Sequence, residues 1–224
     1  MGWRIFHRAG LAFCCRFRLS SNVRPHTTLP PVRGTPMKQL RNDHMLLVEV
    51  LDPFFKGAHI QETLRALRKG NGVTGWEKWL QIELTTFLLK HRADNDWERE
   101  KSYKLVCSKS ERWHRCAVDF LLGKTRIEGP VALEVKQRKV ASGCVSAMIK
   151  DLARLATIRE SERTGISSYW CLGIHPSCRM DLLRQHASRF TREIGLISMP
   201  LVVWSSPVGN TGFSYTLLSQ PREA

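Results

Sequence analysis

The apolar positions of this chain change their period along its length, and each period predicts an element. In GWEKWLQIELTTFLLKHR, Trp76, Trp79, Leu80, Leu84, Phe87 and Leu88 recur at three- and four-residue intervals, one face of an amphipathic helix. Upstream, MLLVEVLDPFF and HIQETLRALRKG read as a helical or mixed lead-in, punctuated by Gly70 and Gly72. After the polar stretch RADNDWERE, read as a linker, come three runs with strand character: SYKLVC, RCAVDFLLG and PVALEVKQ. A second long helix is predicted from Gly143 to Glu162, with Val145, Met148, Ile149, Leu152, Leu155 and Ala156 as its apolar stripe. SYWCLGIH returns to strand character, Arg179 to Ile194 reads as a polar amphipathic helix, and LVVWSS with GFSYTLL, bridged by PVGNT, predicts a closing hairpin.

Helix, three strands, helix, strand is an α/β order. A strand that returns through a long helix pairs parallel to its partner, while consecutive strands joined by short loops pair antiparallel. The expectation is a mixed central β-sheet flanked by helices, in one domain over residues 45–224 with its core at about 75–175. Residues 1–44 lie outside that pattern. They are basic, and the Pro-rich stretch from Pro25 to Pro36 reads as a connector, so this segment is expected to be a disordered extension. Its opening, MGWRIFHRAGLAFCCRFRLSS, is Arg-rich and acid-free, the form of a mitochondrial presequence in a eukaryotic source; otherwise Met37 or Met45 would begin the protein.

Composition changes this picture in only a few respects. The formal charge of +15 implies a polyanionic partner, because cations that neutralise phosphates gain affinity through counterion release. Eight of the 35 Lys and Arg precede the first acid, Asp43, yet cations still outnumber acids in the remainder. The 7 cysteines form no CxxC pair, so buried thiols in a reducing, intracellular and cytoplasmic setting are expected. Cys14, Cys15 and His7 lack the second ligand pair that zinc needs. No apolar run is long enough for a membrane-spanning helix. His114, His175 and His186 are scattered, and no GxSxG or Walker motif occurs, which excludes serine-hydrolase and nucleoside-triphosphatase chemistry. The tryptophans Trp76, Trp79, Trp97, Trp113, Trp170 and Trp204 are expected mostly in the core.

Three charged residues interrupt apolar strands: Asp119 in RCAVDFLLG, and Glu134 with Lys136 in PVALEVKQ. Side chains alternate along a strand, so Glu134 and Lys136 share the face of Ala132, while Val131, Leu133 and Val135 point the other way. Asp119 comes opposite them if the two strands pair as a hairpin. Two carboxylates at roughly 4 Å repel by about 4 kcal/mol at an effective dielectric of 20, a penalty that a divalent cation removes. Asp119, Glu134 and the backbone carbonyl of Val135 are hard oxygen donors suited to Mg²⁺, with Mn²⁺ able to substitute. Lys136 beside them is placed to act as base or to neutralise charge on a phosphoryl group.

The spacing D-(x)14-E-x-K over two adjacent strands, VDF then LEVK, resembles the PD-(D/E)XK nuclease superfamily, with Val118 where the name-giving proline would stand. The resemblance implies a restriction-endonuclease-like αβββαβ core and metal-dependent hydrolysis of nucleic-acid phosphodiesters, DNA before RNA. It also implies an additional acid on the first helix, for which Glu83 is the first choice and Glu77 the second. On the following helix, Lys150 and Asp151 occupy positions facing the site, with Lys150 as a phosphate contact. Arg138 and Lys139, with Gln137, Arg159 and Arg163, make a candidate phosphate-contacting rim. Two other classes remain open: a nucleic-acid-binding module on the same fold that has lost catalysis, and a protein-interaction module. A protein partner or homodimer is compatible with all three.

Overall fold

Packing two apolar faces of one sheet against helices produces the architecture. The structure, a computed structural model, describes residues 36–70, 73, 75–106, 115–158, 160–163, 165–195 and 201–221. The chain divides into the units Met1–Arg33 and Gly34–Ala224, and the described residues belong to the second. Its elements are α1 (Pro36–Lys56), α2 (Ala58–Lys69), α3 (Glu77–His91), β1 (Trp97–Lys104), β2 (Arg115–Leu122), β3 (Val131–Gln137), α4 (Ala141–Leu155), α5 (Glu160–Arg163), β4 (Ser168–Pro176), α6 (Met180–Glu193), β5 (Val202–Pro207) and β6 (Phe213–Ser219).

The six strands form one mixed sheet in the order β1-β2-β3-β4-β6-β5, in which β3 and β4 pair parallel and every other neighbour antiparallel. Val131, Leu133 and Val135 of β3, with Trp170, Leu172 and Ile174 of β4, bury against α1, α2 and α3. Ala132 and Cys171 face the other way, into a second core with Cys144, Val145, Met148 and Leu155 of α4 and Leu183 of α6. The result is three layers, helices on both faces of a sheet. Gly173 sets the approach of α4: a Cβ there would lie 2.3 Å from Met148 Sδ and 2.8 Å from Cys144 Sγ.

Three boundaries differ from the sequence expectation. The folded unit reaches upstream of Met45, because α1 starts at Pro36 and buries Leu40 and Asp43 in the same stripe as Leu47 and Leu51. Asp43 is wholly buried, and its carboxylate accepts Ser167 Oγ and Ser168 Oγ, both at 2.6 Å, and Gln39 Nε2 at 3.0 Å, with Arg126 Nη2 at 2.7 Å. The polar stretch read as a linker supplies the first half of β1, because an edge strand tolerates charge on its open side; Glu98 pairs there with Lys101 and Lys124. The helix expected over residues 143–162 stops at Leu155, where Ile158 forms a bridge with Leu105, and resumes only as α5.

Four described cysteines, Cys116, Cys144, Cys171 and Cys178, are free, and all but Cys178 are buried. Trp76 and Trp170 are buried, while Trp79, Trp97 and Trp204 pack partly buried against the first core. Among the described residues no helix is long and apolar enough to cross a membrane. Arg159, Trp113, His114, Cys107, Gly72 and most of the expected N-terminal extension, including His7, Cys14 and Cys15, lie outside the described residues.

Two substitutions test this account in urea unfolding. Asp43→Ala leaves Arg126 and two serine hydroxyls without their shared acceptor and is expected to destabilise by about 3 kcal/mol or more. Gly173→Val overfills the α4–β4 contact and is expected to cost about 1–3 kcal/mol. A variant of either kind that unfolds at the parent midpoint contradicts the packing described.

Candidate active site

The site lies where β2 and β3 part. Their antiparallel ladder joins Phe120, Leu121 and Leu122 to Leu133, Ala132 and Val131. Beyond Phe120 a side chain takes over from the backbone: the Val135 N–H donates to Asp119 Oδ2 at 2.8 Å. On the other side of β2, the β1 ladder passes over the Glu100–Asp119 position, and Glu100 there takes a φ of 52°, in the left-handed region. Asp119 therefore sits at a break in both ladders.

Strand alternation puts Glu134 and Lys136 on the α4 side of β3, where the Glu134 side chain is 3% exposed. The Lys136 ammonium lies 3.0 Å from Asp151 Oδ2, 3.6 Å from Glu77 Oε1 and 3.7 Å from Glu134 Oε2, and donates to the Val135 carbonyl at 3.0 Å. Arg154, in the last turn of α4, places Nη2 3.1 Å from Glu134 Oε1 and 3.3 Å from Asp151 Oδ1. Glu77, the first residue of α3, accepts the Gln137 N–H at 3.1 Å and lies 3.8 Å from Arg138 Nη1. That carboxylate also benefits from the positive end of the α3 dipole.

Three carboxylates, Glu77, Glu134 and Asp151, thus surround Lys136, with Arg154 between the last two and Arg138 beside the first. Burial, then the neighbouring Asp119, pushes the Glu134 carboxyl up from its ordinary 4.5 to about 8, although Lys136 and Arg154 pull the other way. Burial alone would lower the Lys136 ammonium, but Asp151 and Glu77 override it and raise its pKa, so Lys136 stays protonated at neutral pH.

The structure brings together Asp119, Glu134, Lys136 and the Val135 carbonyl. It does not bring Glu83 to them. Glu83 accepts Trp79 Nε1 at 3.1 Å and lies 3.3 Å from His59 Nε2, at the contact of α2 with α3. It stands about one and two-thirds turns beyond Glu77 and so points to another side of the helix; the acid that α3 contributes is Glu77. Lys150 also turns away, with its ammonium 5.6 Å from the ring centroid of Phe190 on α6. Its neighbour Asp151 enters the cluster instead, in the buried stripe of Cys144, Met148 and Leu155. Arg154 was missed by sequence reasoning; its only signal is its i,i+3 relation to that acid. Arg138 donates to the Gln137 carbonyl at 2.7 Å, Lys139 is exposed, and Arg163 pairs with Glu160.

Among the described residues no group of three or more His, Cys, Asp and Glu side chains is arranged to hold a metal ion. Mg²⁺ does not require one, since it commonly binds through one or two carboxylates and keeps several waters. The donors fit such an ion in kind: Asp119, Glu134 and the Val135 carbonyl are hard oxygens. Fold and cluster together define the class: a three-layer α/β protein with a buried acid–lysine–arginine centre at a parted strand pair. No family model, curated protein or solved structure matches the chain.

Glu134 gives the metal-free protein a defined pH dependence. Its folded pKa lies above its unfolded value, so between pH 4.5 and about 8 the unfolded chain is ionised while the folded site retains its proton. Ionisation then favours unfolding, and this group's effect lowers stability as pH rises through that window, levelling above it. Glu134→Gln is expected to flatten that fall in urea unfolding across the window. An unchanged slope would show that Glu134 titrates normally.

Proposed function

We propose that the chain is a metal-dependent nuclease with a restriction-endonuclease-like PD-(D/E)XK core, hydrolysing phosphodiester bonds of DNA. The observation that carries this reading is the convergence of Asp119, Glu134 and Lys136 at the parting of β2 and β3. The order α3, β1, β2, β3, α4, β4 supports it, being the order of that core. The formal charge of +15 fits a polyanionic substrate. The choice of DNA over RNA rests on the family resemblance.

In this reading Asp119, Glu134 and the Val135 carbonyl would hold Mg²⁺ or Mn²⁺, which would supply an activated water and Lewis-acid stabilisation of the phosphoryl oxygens. The chain's own groups supply charge and position. Lys136, held between Asp151 and Glu77, serves as a fixed positive charge for the developing phosphorane. Glu77 and Asp151 are positioning residues that hold the ammonium from two sides. Arg138 and Lys139, just past β3, are placed to meet the phosphates that flank the scissile one.

The test incubates plasmid, linear duplex, single-stranded DNA and RNA with the purified full chain and Mn²⁺ or Mg²⁺, beside Asp119→Ala and Lys136→Ala. Each variant is expected to lose about 10²-fold or more of a cutting activity that chelation abolishes. Equal cutting by parent and variants would identify a contaminant and end the proposal.

A further inference from the structure

We propose that Arg154 is a built-in counter-cation that a divalent ion displaces from Glu134, and that the freed guanidinium then engages a substrate phosphate. The site would load in order, metal first and nucleic acid second. This inference rests on the metal reading of Asp119 and Glu134 given above.

The two cations of the cluster are held differently. Lys136 rises from β3 beneath the cluster, 15% exposed, with three carboxylates and a carbonyl around its ammonium. Arg154 reaches in from the last turn of α4, is 41% exposed, and among the described acids pairs with Glu134 and Asp151 alone. Displacing Lys136 would strand a buried ammonium, whereas Arg154 already has solvent to turn into. The cost of leaving falls on Arg154 less than on Lys136.

The oxygen at stake is Glu134 Oε1, 3.1 Å from Arg154 Nη2. A guanidinium at that distance competes directly with an ion that uses the same carboxylate. Once a doubly charged ion sits there, like-charge repulsion adds to the competition. The planar guanidinium fork is the side chain best matched to two phosphate oxygens, and a lysine would not reproduce that geometry. Arg154 therefore pairs inward with Glu134 and Asp151 and turns outward when a divalent ion takes the carboxylate. Asp151 remains behind as the partner of Lys136, at 3.0 Å.

Titration calorimetry with Mn²⁺ alone tests the exchange on the full chain. Removing the competitor in Arg154→Met is expected to tighten Mn²⁺ binding by at least about fivefold, while duplex DNA affinity, measured with Ca²⁺, falls. A residue that merely supported the fold would weaken both. On the parent chain, Mn²⁺ is expected to speed the modification of Arg154 by butanedione, read by peptide mass spectrometry, and this arm decides alone if Arg154→Met does not fold. Unchanged or weaker Mn²⁺ binding in a folded Arg154→Met, or no change in modification at saturating Mn²⁺, overturns the exchange and leaves the metal reading standing. A parent chain and variant that both take up no Mn²⁺ overturn the metal reading and the exchange with it.

Discussion

A carboxylate standing in for a peptide group is the interaction on which this structure turns. Where β3 would continue its ladder with β2, the Val135 N–H donates to Asp119 Oδ2 instead. A buried N–H needs an acceptor, and the side chain supplies one at the cost of the regular pairing. The strands can then part without an orphaned donor, and the gap exposes the next residues of β3 to α3 and α4. Asp119 is held within the electrostatic reach of Glu134 by the same bond, and the repulsion between them helps lift the Glu134 pKa.

Two acids on helices, the buried Asp43 and the half-buried Asp151, differ in how their charge is held. Asp43 on α1 and Asp151 on α4 each occupy a position in an apolar stripe. Asp43 is closed off by two serine hydroxyls, a glutamine and the Arg126 guanidinium, and it ties α1 to the start of β4 and to the loop before β3. Such a network is satisfied where it stands. Asp151 shares Lys136 and Arg154 with Glu134, while Glu77 shares Lys136 with both and also lies beside Arg138. Glu134, the most buried of these acids, is held well above the ordinary carboxylate range, first by burial and then by Asp119. That perturbed acid among shared cations is what gives the cluster its chemical reading.

The helix pattern and the strand pattern of the sequence located α3, α4, α6, β2, β3, β4 and the β5–β6 hairpin, because burial on one face imposes a period that survives in the amino-acid order. The same logic found only the second half of β1, in SYKLVC, and missed the first. An edge strand needs apolar residues on one side only, and Glu98, Arg99, Glu100 and Lys101 resemble a loop when read without the partner strand. It failed also at the start of α1, where the buried Asp43 reads as polar surface until its partners from Gln39, Arg126, Ser167 and Ser168 are in place.

By itself the sequence determined that Glu134 and Lys136 share a face of one strand, since alternation is a property of the local backbone, and that Asp119 lies one hairpin away. It could not decide which helical residues would join them. The rotation of α3 and α4 about their axes, set by how their apolar stripes seat on the sheet, brings in Glu77, Asp151 and Arg154 and turns Glu83 and Lys150 aside. That choice is long-range: it depends on Gly173 letting α4 close on β4 and on the two ladders breaking at Asp119. Only the packed tertiary structure contains those distances.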